Sequence, residues 1–437
     1  MKKISMKKYL FMAVFSMAMP IGMMAQEPEA ATNGEEMTVS LKDAISNALQ
    51  YSKQLQSSKM DMDLYHQKIR ETRASMLPQL SASVAYQTYF GKDLDLMGMK
   101  RKMEDQVSLG ATASWTLAMQ AVTGVKISKI AQQIAEQQIA QTELDIKANV
   151  ADTYYGILVC QRNIDILKAN LVDLEDIKKH TENMFAVGAC EQTDVDQIVI
   201  TVATLKNAIL STERTCETTK RMLLLQMGLP IDTKFSTTQK LDDLIAESTV
   251  ATMDSSKFDI TNNLNYKLLE LSNQVNEKTL SLKRQAHLPA LNLTYQYSKM
   301  LKGGFMNFDH VGVATVSIPI FSGLSRNAQV KQAKIEIERG KTNMALLQDN
   351  LNISDEQCRF ELNSAIESYL LQLENLEVAK RVLENYKNKY NNGVMSSLDL
   401  TQANTNYLQA ETSFATACLD LLMAHTKLSK LYNNFEF

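Results

Sequence analysis

The sequence is short of most things that would staple, interrupt or activate it. It holds five cysteines in 437 residues (Cys160, Cys190, Cys216, Cys358 and Cys418), odd in number, widely spaced and mostly in helical pattern. They read as buried thiols, and they form neither a disulfide framework nor a metal-ligand cluster. The five histidines (His66, His180, His287, His310, His425) are scattered, and no HExxH, GxSxG or glycine-rich phosphate loop occurs. No catalytic constellation is present, so neither an enzyme nor a cofactor is expected. Beyond residue 26 no window offers the ~18 consecutive apolar residues of a membrane-spanning helix. If the chain enters a membrane, it does so as strands.

Residues 1–25 have a basic start (Lys2, Lys3, Lys7, Lys8), an apolar run from Tyr9 to Met24 and a small-residue exit at Ala25. This is the pattern of a secretory signal, and it is set apart from the fold. The run is shorter than the ~20 residues of a retained span, and no cysteine follows it to carry a lipid anchor. Removing its four lysines and no acids from 46 basic and 49 acidic residues leaves 42 against 49, a net charge of −7. That balance gives no support to a nucleic-acid partner. An exported chain without staples must be held by packing and assembly.

What the sequence does have is one pattern written twice. Leu77-Pro78-Gln79-Leu80 opens an alternating segment, and Leu288-Pro289-Ala290-Leu291 opens another. Later in each half a glycine is followed six residues on by aspartate and nine on by glutamine: Gly188, Asp194, Gln197, then Gly393, Asp399, Gln402. Self-similarity at so long a period marks a duplicated supersecondary unit. The first copy is expected over 26–228 and the second over 263–437. Residues 229–262, which open with Leu229-Pro230 and turn polar, would form a small connecting layer.

Residues 38–77 carry helical spacing (Leu41, Ile45, Leu49) until Pro78 ends the helix. The pattern then switches to period two. Strands are expected at about 79–90 and 106–118, and again at about 290–299 and 308–321. Val107, Leu109, Ala111, Ala113, Trp115 and Leu117 alternate with small or polar residues, as do Leu291, Leu293, Tyr295 and Tyr297. In the last strand Val311 and Val313 sit on one parity while Val316, Ile318 and Ile320 sit on the other, which suggests a bulge there. Each strand has about the 9 to 11 residues that cross hydrocarbon when tilted, with aromatics available for interfacial girdles. A soluble half-buried sheet alternates in the same way, so the strands alone do not decide.

The helices break that tie. From about 123–186 and about 324–390 there is no proline and very little glycine, so each run reads as one helix of about 64 residues, about 96 Å long. Such helices must stand as coiled-coil-like columns. Val330, Ala333, Ile337, Gly340, Met344, Leu347, Leu351, Ser354 and Cys358 step by three and four, a heptad seam. After Cys358 it advances by four twice, to Leu362 and Ile366, a stutter that unwinds the supercoil locally. Ile157, Cys160, Ile164, Leu167, Leu171 and Leu174 form a shorter seam in the first copy. Each column ends at a glycine, Gly188 or Gly393, suited to a left-handed C-cap, with tips expected at about 187–194 and 391–399.

The tips carry the repeated polar signature. Ser396 followed three on by Asp399 fits a capping box, a structural use that would account for the aspartates. Repetition of the tips around an axis would instead gather carboxylates into a charged ring that favours cations. The two uses are compatible. Met97, Met99 and Met103, between the first two strands, suit flexible packing better than a soft-metal port.

Taken together, the two Leu-Pro-x-Leu junctions, the strand exit Ile318-Pro319-Ile320-Phe321-Ser322-Gly323 and the tip Tyr390-Asn391-Asn392-Gly393 through Leu398-Asp399-Leu400 resemble the TolC-like outer membrane efflux proteins. The resemblance covers essentially the whole chain after residue 25. It implies a mostly α fold with a four-stranded antiparallel β contribution. Duplicated helix-strand-strand-helix units would assemble as a homotrimer, with a twelve-stranded outer-membrane β-barrel set on a twelve-helix periplasmic α-barrel. The function implied is a passive exit duct of a tripartite efflux or type I secretion system, embedded in outer-membrane lipid. Its partners would be a membrane-fusion adaptor and an inner-membrane efflux transporter.

By the same resemblance Asp399 and its counterpart Asp194 line the periplasmic aperture, and the tips at Gly188 and Gly393 dock the adaptor. The family's second carboxylate, three residues on, is replaced here by Gln402 and Gln197. The first copy also lacks the strand-exit proline, having Leu117-Ala118-Met119. A periplasmic coiled-coil scaffold or adaptor is the competing reading. It shares the long helices but has no need of four strands with lipid-compatible faces.

Overall fold

The computed structural model describes residues 37–90, 93–96, 99–102, 104–245, 257–302 and 309–435. The expected signal, Met97, Met103 and residues 246–256 of the connecting layer lie outside them. Residues 38–437 form one compact unit. Four helices establish its first half: α1 (Leu41–Tyr51), α2 (Lys53–Ala74), α3 (Met119–Ala186) and α4 (Gln192–Gln226). The second half has α5 (Leu264–Gln285), α6 (Ser325–Asn391) and α7 (Ser397–Tyr432). At 68 and 67 residues, α3 and α6 are each ~100 Å long.

Contacts along the helices fix the order of four antiparallel columns. On α3, residues 128 and 142 meet α2 through Thr72–Ser128 and Ser58–Thr142, while residues 153 to 175 meet α4 through Gln226–Thr153, Lys168–Glu213 and Lys206–Glu175. Thus α2 and α4 lie end to end along one flank of α3. On the other flank Gln285–Thr123 and Gln141–Asn265 place α5, and Lys430–Asp145 and Arg162–Glu411 place α7. The same pair covers α6, through Lys283–Gln329 and Asn273–Gly340, then Lys427–Glu361 and Tyr432–Asp355. The order is α2 with α4, then α3, then α5 with α7, then α6.

The seam of α6 faces that neighbour: Ala333, Leu351, Cys358 and Leu362 are buried. At Gly340 a Cβ would run into Asn273 Oδ1, so the helices approach as closely as the small seam residues allow. The helix expected across 38–77 is broken at Ser52, which has extended backbone (φ −58°, ψ 125°). No proline or glycine marks this break. It falls where the turn after α4 presses on the chain, since a Cβ at Gly228 would meet the Tyr51 carbonyl.

Four strands, β2 (Gln79–Gln87), β5 (Gln106–Leu117), β7 (Ala290–Lys302) and β8 (His310–Ser317), form one antiparallel sheet in the order β2-β5-β7-β8. Between β2 and β5 a hairpin of β3 (Asp93–Leu96) and β4 (Met99–Lys102) extends the connection. The bulge expected in β8 is absent there; the register shift lies in the β5–β7 pairing at Val107/Ser108. β8 pairs regularly from His310 to Ser317 and stops. Pro319 has no N–H to donate, so Ile318 and Ile320 belong to the exit and not to either strand face. In the connecting layer, β1 (Met37–Val39) pairs with β6 (Phe235–Thr237), and the Tyr154 hydroxyl donates to the Val39 carbonyl at 3.1 Å.

Candidate functional site

The site expected from the sequence is the pair of tips where α3 turns into α4 and α6 into α7. Each turn is built identically. Gly188 N–H donates to Phe185 O at 2.9 Å and Ala189 N–H to Met184 O at 2.8 Å; Gly393 and Val394 repeat this to Tyr390 and Lys389 at 2.9 and 3.0 Å. This is a Schellman closure, which needs a left-handed residue. The glycines supply it, at φ +74° and +72°. Both glycines are exposed and a Cβ at either would touch nothing within 4 Å, so backbone conformation alone selects them.

Asp194 and Asp399 are both the third residue of their helices, yet the structure gives them different surroundings. The Asp399 carboxylate accepts from the Ser396 hydroxyl at 2.6 Å, and that hydroxyl accepts from Asp399 N–H at 3.2 Å. Asp399 is otherwise exposed. Asp194 is half-buried: it accepts from Glu191 N–H at 3.2 Å, closing a capping box, and from Ser397 Oγ of the other tip at 2.9 Å. One aspartate therefore ties the tips together and the other remains free toward solvent. Gln197 and Gln402 are exposed one turn further along, Gln402 donating to Asn406 Oδ1 at 3.0 Å.

Sequence reasoning did not find the residues behind these tips. Tyr390 is buried, and its hydroxyl meets Thr181 Oγ1 at 2.6 Å while His180 stands edge-on at 5.6 Å. Burial pushes the Tyr390 phenol up, opposed by the Thr181 hydrogen bond. Higher up, buried Asn170 and Asn404 exchange amide hydrogen bonds, and Lys387 pairs with Asp173. Each contact joins α3 of the first half to α6 or α7 of the second, more than two hundred residues away, so no local spacing announces it. Leu383, Tyr390, Leu400 and Ala403 form the apolar cluster beneath. Among the described residues no cluster of His, Cys, Asp and Glu could hold a metal, and no helix is long and apolar enough to cross a membrane.

The sequence matches the outer membrane efflux protein family over residues 44–229 and 261–434, one segment for each half. The chain belongs to that family. As an outer membrane efflux protein it is an exit duct of the outer membrane extending into the periplasm, and the scaffold alternative falls with that assignment. Solved relatives share the fold at low identity. The CmeC outer membrane channel of Campylobacter jejuni superposes with a TM-score of 0.74 at 17% identity, covering 95% of this chain and 91% of that one. CusC gives 0.73 at 16%, covering 93% and 98%, and VceC of Vibrio cholerae gives 0.71 at 14%, covering 90% and 95%. Comparison with curated proteins finds no match. The family is one of ducts, not of enzymes.

Proposed function

We propose that three copies of this efflux protein close head to tail into a single duct, with twelve strands forming the outer-membrane barrel and twelve helical columns the periplasmic tunnel. The observation that carries this is the state of the chain's two flanks. β2 and β8 are sheet edges, and they are exposed along their whole length on both faces. Because the four strands alternate in direction, β8 of one copy meets β2 of the next as another antiparallel pair. Open edges do not exist in hydrocarbon, so the sheet must close on itself.

The columns end in the same way. On α6, Ile335, Leu346, Ile353, Leu371 and Val378 are exposed opposite the buried seam, and on the far flank Met60, Leu64, Ile200 and Leu210 of α2 and α4 are exposed too. Two unlike apolar flanks fit a heterologous ring contact. Four strands cannot close, eight leave an interior filled by side chains, and twelve begin to leave a lumen.

In this assembly Asp399 and Asp194, with Gln402 and Gln197, line the periplasmic aperture, and the turns at Gly188 and Gly393 meet a membrane-fusion adaptor that couples the duct to an inner-membrane transporter. The duct conducts passively and opens as the tip helices untwist, while the strands stay fixed. The direct experiment is fractionation of native protein followed by its detergent-corrected mass. An outer-membrane species of three chain masses is expected; a stable monomer or dimer would remove the ring.

A further inference from the structure

Far from the tips, a groove of about 740 Å³ runs over α7 between α3 and α6. Asp152, in its wall, lies two residues from Tyr154 and therefore about 200° around α3 from the side that meets Val39. The groove thus opens away from the β1–β6 layer. Its volume falls within the ~300–1,000 Å³ of small-molecule sites. Ala148, Ala365, Ala424 and Met423 give it an apolar floor.

The polar groups of the groove are unevenly matched. Lys427 and Lys430 are already engaged, with Glu361 at 2.6 Å and Asp145 at 2.7 Å. Asp152 and Asp420 have no ion-pair partner among the described residues. Asp152 Oδ1 also lacks a hydrogen bond, and so does Thr426 Oγ1, although Thr426 is only 2% exposed and lines the groove. A buried hydroxyl and a carboxylate oxygen without partners are each destabilising, a deficit that a donor-bearing ligand would remove. Two acids without an ion pair of their own within 4 Å, two unfilled acceptors and an aliphatic floor describe one kind of guest.

We infer that this groove is a binding site for a primary alkylammonium ion, its N–H donors directed to Asp152 Oδ1 and Thr426 Oγ1, its methylenes on the alanine and methionine floor, and, in a diamine, its second ammonium on Asp420. The site is contained within one chain and does not depend on closure of the ring. The N–H donors matter as much as the charge, so a quaternary ammonium of similar size is excluded.

The test is isothermal titration calorimetry of the full-length protein in detergent at pH 7.5, with 1,5-diaminopentane as probe and 1,5-bis(trimethylammonio)pentane as control. Saturable binding of one diamine per chain is expected, with no saturable heat from the bis-quaternary ion. Asp152→Asn and Thr426→Val should each weaken binding at least fivefold, while Asp232→Asn, on the exposed connecting layer, leaves it unchanged. If Thr426→Val fails to assemble, the exposed Asp420→Asn reads the same site and should also weaken the diamine. Absence of saturable binding, binding indifferent to Asp152→Asn, or loss of binding in Asp399→Asn would each overturn the inference, the last by moving the amine to the aperture.

Discussion

Asp194 and Asp399 stand at equivalent positions of a duplicated turn, but their neighbours divide the work. Asp399 has one local hydroxyl partner and an exposed carboxylate, so Asp399→Ala should leave assembly intact and weaken block of the pore by multivalent cations, read as a higher half-blocking concentration in planar-bilayer conductance. Unchanged block would remove Asp399 from the aperture. Asp194→Ala breaks a capping box and the bond from Ser397, and losses of this kind are destabilising by ~1 kcal/mol each. It should lower the thermal midpoint of the assembly where Asp399→Ala does not.

Asp152 gives a pH dependence whose sign can be worked out. Burial pushes its carboxyl up from 3.8 to about 6, with Lys430 pulling the other way. A folded-state pKa above the unfolded one means that ionisation disfavours the fold. Its contribution is most favourable below pH 4 and is lost as pH rises from about 4 to about 6. Asp152→Asn should therefore match wild type at pH 4 and melt higher at pH 7.5, by ~1 kcal/mol once the partly solvated position is discounted. A difference that does not vary between these two pH values would refute this account.

At the scale of elements, the tips are joined by cross-links between helices of different halves, which would restrain opening of the proposed duct. Tyr390→Phe removes a buried hydroxyl bond to Thr181, a loss of ~1 kcal/mol, and leaves the ring packed against Leu383 and Leu400. Single-channel recording should show a larger fraction of time in open states. An unaltered open fraction would place the restraint elsewhere, with Asn170–Asn404 the next pair to test. None of these partners could be read from the chain.

Local structure was legible wherever a local rule writes it. Proline-free runs marked the long helices, alternation marked the strands, and glycines marked the turns that need positive φ. Tertiary contacts were not legible. The break at Ser52 answers to the turn at Gly228, and the end-to-end stacking of α2 on α4 depends on how both lie along α3. The parity change after Val313 mimics a bulge as long as Ile318 and Ile320 are read as strand residues. Pro319 ends pairing before they can join, while the actual register shift at Val107/Ser108 left no mark in the alternation of β5.

For the whole molecule, the proposed ring rests on what one chain leaves uncovered. The stripe on α6 is separated from the buried seam of the same helix by a single residue in places: Ile353 is 62% exposed, and Leu351 is 6% exposed. That contrast allows folding and assembly to be tested apart. Leu351→Lys places an unpaired charge in the seam and should prevent the columns from packing, since such burial is destabilising by several kcal/mol. Ile353→Lys combined with Leu371→Lys puts the charges on the outer face, where a lone chain keeps them in water. This variant should remain helical by circular dichroism yet shift in detergent-corrected mass from three chains toward one, because every interface of the ring would bury two of the new charges. If it still forms trimers of normal thermal stability, the flank of α6 does not meet a neighbouring copy. The head-to-tail order of columns would then have to be rebuilt from the sheet edges alone.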